Sequence, residues 1–352
     1  MKKFVTIAIT ICLALTLFFL TPAALAANEV NVYNWEDYIS DEVIELFEQE
    51  TGIRVNYMRF TTNEDMLVQV TADPVNYDVI FPSDYAIERL ISQNLLEELD
   101  YSLLPHAEYV LGWLQNPGYD ENGAHSVPYM WGTVGILYNT AMVDEEVDSW
   151  AIMFDENCKD NVFMMDSIRD SIGIALKYLG YSVNERSQEA LDEARDLLIS
   201  QKKSGVVKAY QVDETKDKMI AGEAALALVW SGDAAYAMEY NADLDYVVPM
   251  EGSNVWVDGM CIPKGARNIQ NAHAFIDFLC RPDIALMNFY EIWFSTPNAG
   301  AIEMIEEDDA ELLENETLFP TQEIIERCEF FKDIGQDRAR FDAVWRAIKT
   351  AR

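Results

Sequence analysis

The sequence predicts an α/β protein of two lobes, each a mostly parallel sheet with flanking helices, with a cleft between them. Three observations predict it. Short apolar runs of strand type alternate with amphipathic stretches in the order β-α-β-α-β-α, and parallel strands need such helical crossovers. The chain has 352 residues, half of them hydrophobic and 24% charged, which suits two domains of ordinary globular composition. No internal repeat or low-complexity linker divides it, so the lobes are expected to join through ordered strands and not through a tether.

The first 26 residues stand outside that fold. Lys2 and Lys3 precede an uncharged run from Phe4 to Leu20, and Ala24-Leu25-Ala26 is a small-x-small cleavage site. This is a secretory signal peptide with a mature start near Ala27, and an uncleaved N-terminal anchor is the alternative. Cys12 has no small residue before it, which argues against lipid attachment. An extracytoplasmic or periplasmic location follows.

The elements then come in order. Val30–Tyr33 reads as a short strand. Ser40 is placed to cap a helix from Asp41 that turns Val43, Ile44 and Phe47 to one face and ends at Gly52. A strand over 53–60, a helix over 64–72 and a buried strand over 77–81 follow. Pro82-Ser83-Asp84 turns into a helix reaching Leu96. A second unit opens near Trp131–Tyr138. It holds a strand at Phe163–Met165, a helix capped by Asp166 or Ser167, and an amphipathic helix over 189–202. Next come an apolar strand over 224–230, a short helix over 232–240 and a strand over 246–249. Val255-Trp256-Val257 runs extended in the return connection, and a helix over 272–279 stops before Pro282. The expected division is 27–135 plus about 256–303 for the first lobe and 136–255 plus about 304–352 for the second.

Composition narrows the function classes. The formal net charge is −36, and loss of Lys2 and Lys3 with the leader takes it to −38. Such a surface repels nucleic acid and anionic lipid and draws polycations over long range. Most of these charges serve as a solvated surface, and the acidic stretch from Glu303 to Glu316 reads as a helix edge. Four cysteines remain after the leader: Cys158, Cys261, Cys280 and Cys328. Their spacing matches no metal or redox pattern, and they read as buried free thiols. No phosphate loop, dinucleotide fingerprint, zinc-protease pattern or nucleophile elbow is present. The three histidines, His106, His125 and His273, stand apart. No catalytic residue, metal or cofactor is assigned.

The chemistry instead lies in aromatic residues paired with acids. Asn34-Trp35-Glu36-Asp37-Tyr38, Ser83-Asp84-Tyr85, Trp230-Ser231-Gly232-Asp233 and Trp256-Val257-Asp258 carry it. Aromatic faces attract cations, and carboxylates supply the charge that a partly desolvated ammonium needs. Segments 34–35, 82–83, 166–167 and 230–231 each follow a strand and precede a helix. That is the rim where open parallel sheets hold ligands. If they converge, they form a slot for an organic cation. Paired carboxylates such as Asp37 and Asp258 could also serve glycoside hydrolysis, so a secreted hydrolase is the enzymatic alternative. A cell-surface interaction module is a further alternative.

With these residues in view, the mature chain resembles the periplasmic polyamine (spermidine/putrescine) receptors of ABC importers, which are type II periplasmic binding proteins. The landmarks are Tyr33–Tyr38, Glu50–Val55, Tyr77–Ser83, Pro128–Thr133, Leu179-Gly180-Tyr181, Ile262-Pro263-Lys264, Phe278–Pro282 and Thr296-Pro297-Asn298. The resemblance implies two lobes closing over a polyamine, delivery to a membrane permease, no chemistry on the ligand, and a monomer. It implies ligand contacts from Trp35, Asp37, Tyr38, Ser83, Tyr85, Asp170, Trp230, Trp256 and Asp258, with Asp258 on the most buried amine. Asp233 resembles the putrescine-receptor pattern. Three positions depart from spermidine receptors. Ser167 stands for an aspartate, Phe294 for a tyrosine in the ligand wall, and Phe331 for a glutamine. The slot therefore mixes both types, with a lean toward putrescine. Another organic cation or amino compound is the rival ligand.

Overall fold

The computed structural model describes residues 28–351, and the leader lies outside the described residues. Strands β1 (Glu29–Trp35), β2 (Arg54–Phe60) and β3 (Val79–Ile80) are mutually parallel in the order β2-β1-β3. Helix α1 (Asp41–Thr51) makes the first crossover and buries Val43 and Phe47. It ends where Gly52 takes a φ of 67°, a conformation open to glycine at little cost. Ser40 holds the N-cap position without a side-chain capping bond. Its amide donates instead to Asn288 Oδ1 at 3.0 Å.

Helices α2 (Asn63–Ala72) and α3 (Asp84–Ser92) complete the first βα run. The expected extension of α3 to Leu96 does not form. Asn94 adopts a φ of 55°, which breaks the helix. The chain beyond it pairs with the return connection, Glu97 N donating to Ile262 O at 2.9 Å. Residues 101–123 form short 3₁₀ turns.

Strand β4 (Ser126–Asn139) is the longest strand and joins the two sheets. Residues Ser126–Thr133 pair antiparallel with β9 (Val255–Cys261), and β9 pairs with β3. Residues Val134–Tyr138 pair antiparallel with β7 (Leu226–Trp230), and residues Ile136–Asn139 with β8 (Leu244–Val247). Beyond β7, β5 (Val162–Met165) and β6 (Val207–Gln211) run parallel to it. The overall order is β2-β1-β3-β9-β4-β7-β5-β6. The parallel βα units of both sheets are those expected from the sequence. β6 had not been anticipated, and Val255–Val257 is part of a full strand.

Helices α4 (Ile168–Tyr178), α5 (Gln188–Ser204), α6 (Glu214–Ile220) and α7 (Ser231–Tyr240) belong to the second sheet. Helices α8 (Ile269–Leu279), α9 (Pro282–Ile292) and α10 (Ala299–Asp308) follow the return through β9. The chain finishes with α11 (Gln322–Arg327) and α12 (Arg338–Thr350), and α12 packs on α5 and α4. The four described cysteines are free thiols. Cys261 and Cys280 are buried, while Cys158 and Cys328 are half-buried. No helix among the described residues is long and apolar enough to cross a membrane.

Candidate functional site: an aromatic and acidic cleft where the sheets meet

The centre of the site is built on β9. Across from it β4 carries a bulge between Pro128 and Met130, opposite Gly259 and Asp258. Bulges re-aim side chains, and the extra residue here is Tyr129. Its ring packs edge-on against Tyr38 and Phe81, and its hydroxyl donates to the Tyr38 carbonyl at 2.8 Å. The loop after β1 is held by this bond and turned by Asp37 at a φ of 50°. Tyr38 is thereby aimed at Asp258, donating to Oδ2 at 2.9 Å.

Asp258 is 5% exposed, and its Oδ1 has no hydrogen-bond partner. Burial pushes its carboxyl up to about 7, against the pull of the nearby Ser83 hydroxyl and of Tyr38. Ser83 is fixed in turn by Asn63, whose Nδ2 donates to the Ser83 Oγ at 2.9 Å. Ser83 and Asp258 also form an isolated backbone bridge.

Aromatic rings wall this carboxyl. Phe294 meets Tyr38 edge-on with ring centres 5.5 Å apart and Trp256 at 5.3 Å. It is positioned because Trp131 donates its amide to the Ser295 carbonyl at 3.0 Å. Phe294 also fits into the space left by Gly232 at the start of α7, where a Cβ would stand 2.3 Å from its ring. The Trp256 indole nitrogen is buried without a partner. Trp230 is half-buried at the end of β7. These residues draw together both sheets around Asp258.

One end of the cleft runs from Ser83 to Tyr85. The Tyr85 ring faces the Arg169 guanidinium at 5.4 Å and the Phe331 ring at 6.3 Å. Arg169 is buried, lies 4.2 Å over Phe331 and donates to the Lys332 carbonyl at 3.0 Å. Beside it Asp170 accepts from the Ser167 hydroxyl, and burial raises its carboxyl. At the other end Asp233 follows Gly232, its side chain 18% exposed and its carboxyl raised to about 6 by burial.

The fit to the sequence-predicted residues is uneven. Tyr38, Ser83, Trp256, Asp258 and Phe294 form one contiguous group, with Tyr85 and Asp170 at one end and Asp233 at the other. Asp37 and Glu36 are exposed at the mouth. Trp35 is committed to the first sheet, its indole donating to the Phe81 carbonyl at 2.8 Å and its ring lying against Phe60. Asp84, Tyr129 and Arg169 had not been assigned a place in the site. Asp84 is fully buried with Oδ2 unpartnered, and burial holds its carboxyl well above the ordinary range, with Asp258 adding to the shift. The segment Ser83-Asp84-Tyr85 was singled out in the sequence, yet only Ser83 and Tyr85 were assigned to the ligand. Among the described residues no cluster of His, Cys, Asp or Glu is arranged to hold a metal.

The architecture and cleft are those of a two-lobed, type II periplasmic binding protein. The chain matches the bacterial extracellular solute-binding protein family over residues 42–315, and it belongs to that family. A spermidine/putrescine-binding periplasmic protein of Escherichia coli K12 is 30% identical, with 92% of each chain covered. A putrescine/agmatine-binding protein of Pseudomonas aeruginosa is 30% identical over 99% of this chain and 100% of its own. Among solved structures, a putative spermidine/putrescine ABC transporter protein from Listeria monocytogenes superposes with a TM-score of 0.88. It is 36% identical, covering 92% of this chain and 100% of that one.

Proposed function

We propose that this protein is an extracytoplasmic receptor that binds a polyamine between its lobes and delivers it to the permease of an ABC importer. It acts as a monomer and carries out no chemistry on the ligand. The observation that carries the reading is Asp258: a buried carboxyl with one oxygen unpartnered, enclosed by the rings of Tyr38, Trp256 and Phe294. Removing a carboxylate from water without a counter-charge is costly, and an ammonium with an alkyl stem meets both needs of the site. Each methylene laid on the aromatic walls adds roughly 0.8 kcal/mol. That contribution accepts any alkyl chain, and the carboxyls select for amines. The relatives of similar length named above are described as polyamine-binding, which supports the same ligand class here.

The direct contacts in this reading are Tyr38, Ser83, Tyr85, Asp170, Trp230, Asp233, Trp256, Asp258 and Phe294, with Trp35 and Asp37 bordering the mouth. The lobes divide at about residue 135 on β4 and about 255 before β9. Closure brings groups from both lobes onto one ligand, so ligand stabilises the closed form. At the Tyr85 end the Phe331 ring and the Arg169 guanidinium fill space that a polar residue would leave open to a further amine, which favours a diamine. Titration calorimetry with putrescine and spermidine tests this. Putrescine is expected to bind at least as tightly as spermidine, and a preference for spermidine above tenfold would overturn the choice of diamine.

A further inference from the structure

Asp233 does not stand alone. The Lys216 ammonium on α6 lies 3.9 Å from its Oδ1 and 5.3 Å from the centre of the Tyr236 ring, one turn further along α7. Of the acids assigned to the ligand, Asp37, Asp170, Asp233 and Asp258, only Asp233 meets a lysine or arginine within 4.0 Å among the described residues. Acids from both lobes surround this corner. Asp213 and Glu214 precede Lys216 and Asp217 follows it, and the Asp213 carboxyl is raised by burial, against the pull of Lys216, with Glu36, Glu214 and Asp37 adding to the rise. Lys216 is thus a cation set in acidic surroundings at the end of a slot read as amine-binding.

We propose that Lys216 is a specificity-determining residue: its ammonium competes with an amine of the ligand for Asp233 and so discriminates against the longer polyamine. The inference rests on the receptor reading above. The chemistry is that of one cation excluding another. The Lys216 ammonium is the same functional group as the end of a polyamine, and two ammoniums at one carboxylate repel each other in a partly desolvated corner. At 3.9 Å the pair is longer than the 2.7–2.9 Å of a tight charge-assisted bond. The lysine side chain is also 27% exposed on a flexible four-carbon stem. The contact therefore occupies Asp233 without locking it, which is what a displaceable competitor needs. A ligand with two ammoniums can be satisfied by Asp258 and Asp170. A third ammonium, kept by Phe331 and Arg169 from extending past the Tyr85 end, has to displace Lys216.

The test compares spermidine and putrescine by titration calorimetry in the parent, in Lys216→Met and Lys216→Gln, and in the double variant Lys216→Met/Asp233→Asn. Both single substitutions shorten the side chain by only one atom and remove charge from a partly exposed helix position. The expected result is a gain of at least fivefold in spermidine affinity in both single variants, lost in the double variant. A gain below fivefold, a weakening, or a gain that survives without Asp233 overturns the competition while polyamine binding by the parent leaves the receptor reading standing. Absence of polyamine binding in parent and variants alike overturns both.

Discussion

Replacing Asp258 with Asn removes one charge and almost no volume from the centre of the cleft. The parent carboxyl is raised from an ordinary 3.8 to about 7, which corresponds to roughly 4 kcal/mol acting against its ionised form in the ligand-free fold. Because the folded value lies above the unfolded one, the neutral acid favours the fold. That stabilisation is complete below about pH 4 and is lost as the pH rises toward 7. Asp258→Asn abolishes this loss, so the ligand-free variant is expected to melt at or above the parent temperature at pH 8. Binding responds in the opposite direction. A ligand ammonium facing Asp258 loses its charge-assisted partner, at about 2–5 kcal/mol, or roughly 30-fold to several thousandfold in affinity. The parent should also bind about tenfold more tightly at pH 8 than at pH 6, because the carboxyl passes from largely neutral to largely ionised across about 7. The variant should change by no more than about threefold over that range. Calorimetric titration and thermal melting at both pH values measure all of this. A variant that binds polyamine as tightly as the parent would refute the placement of Asp258 on the buried amine.

Other perturbations separate neighbouring roles. Asp84→Asn should change polyamine affinity by less than about threefold. Burial opposes ionisation of Asp84, with Asp258 adding to it, so Asp258 is the acid that serves the ligand, and a loss comparable to that of Asp258→Asn would show that the two are exchanged. Gly232→Ala places a Cβ 2.3 Å from the Phe294 ring and should push that ring out of the wall, weakening ligand binding by about tenfold with the helix content retained by circular dichroism. Unchanged affinity would show that the Phe294 wall is dispensable. Reductant should leave the melting temperature unchanged, since Cys158, Cys261, Cys280 and Cys328 are free thiols. A drop would reveal a disulfide.

The parts of the fold legible in the sequence are those whose periodicity is local. The βα alternation of residues 28–92, the cap at Gly52 and the apolar β7 run follow from side-chain spacing and backbone preference alone. Strand β6 was missed because Val207–Gln211 carries Lys208 and Gln211 at a sheet edge, which dilutes its apolar signal. The joining role of β4 depends on which of its halves pairs with β9 and which with β7, a matter of long-range register that no local pattern encodes.

The site divides in the same way. Tyr38 and Ser83 lie just beyond the ends of β1 and β3, where the topology of an open sheet anticipates them, whereas Asp258 stands in the middle of β9 and was marked in the sequence only by its place beside Trp256. Trp35 has the same sequence signature, yet its indole is spent on Phe81, because a tryptophan at a strand end is equally fit to pack on the sheet. Asp84, Arg169 and Lys216 gain meaning only from burial or from partners distant in sequence: Asp258, Phe331 and Asp233. Hydrophobic patterning does not report which charged residues meet.

The measurement that bears most directly on the central claim is a calorimetric titration of the leader-free protein with putrescine, cadaverine, spermidine and spermine, with a maltodextrin and a neutral amino acid alongside. The account predicts saturable one-to-one binding of a di- or triamine and no measurable heat from the sugar or the amino acid. Binding of the maltodextrin with no response to any polyamine would contradict it.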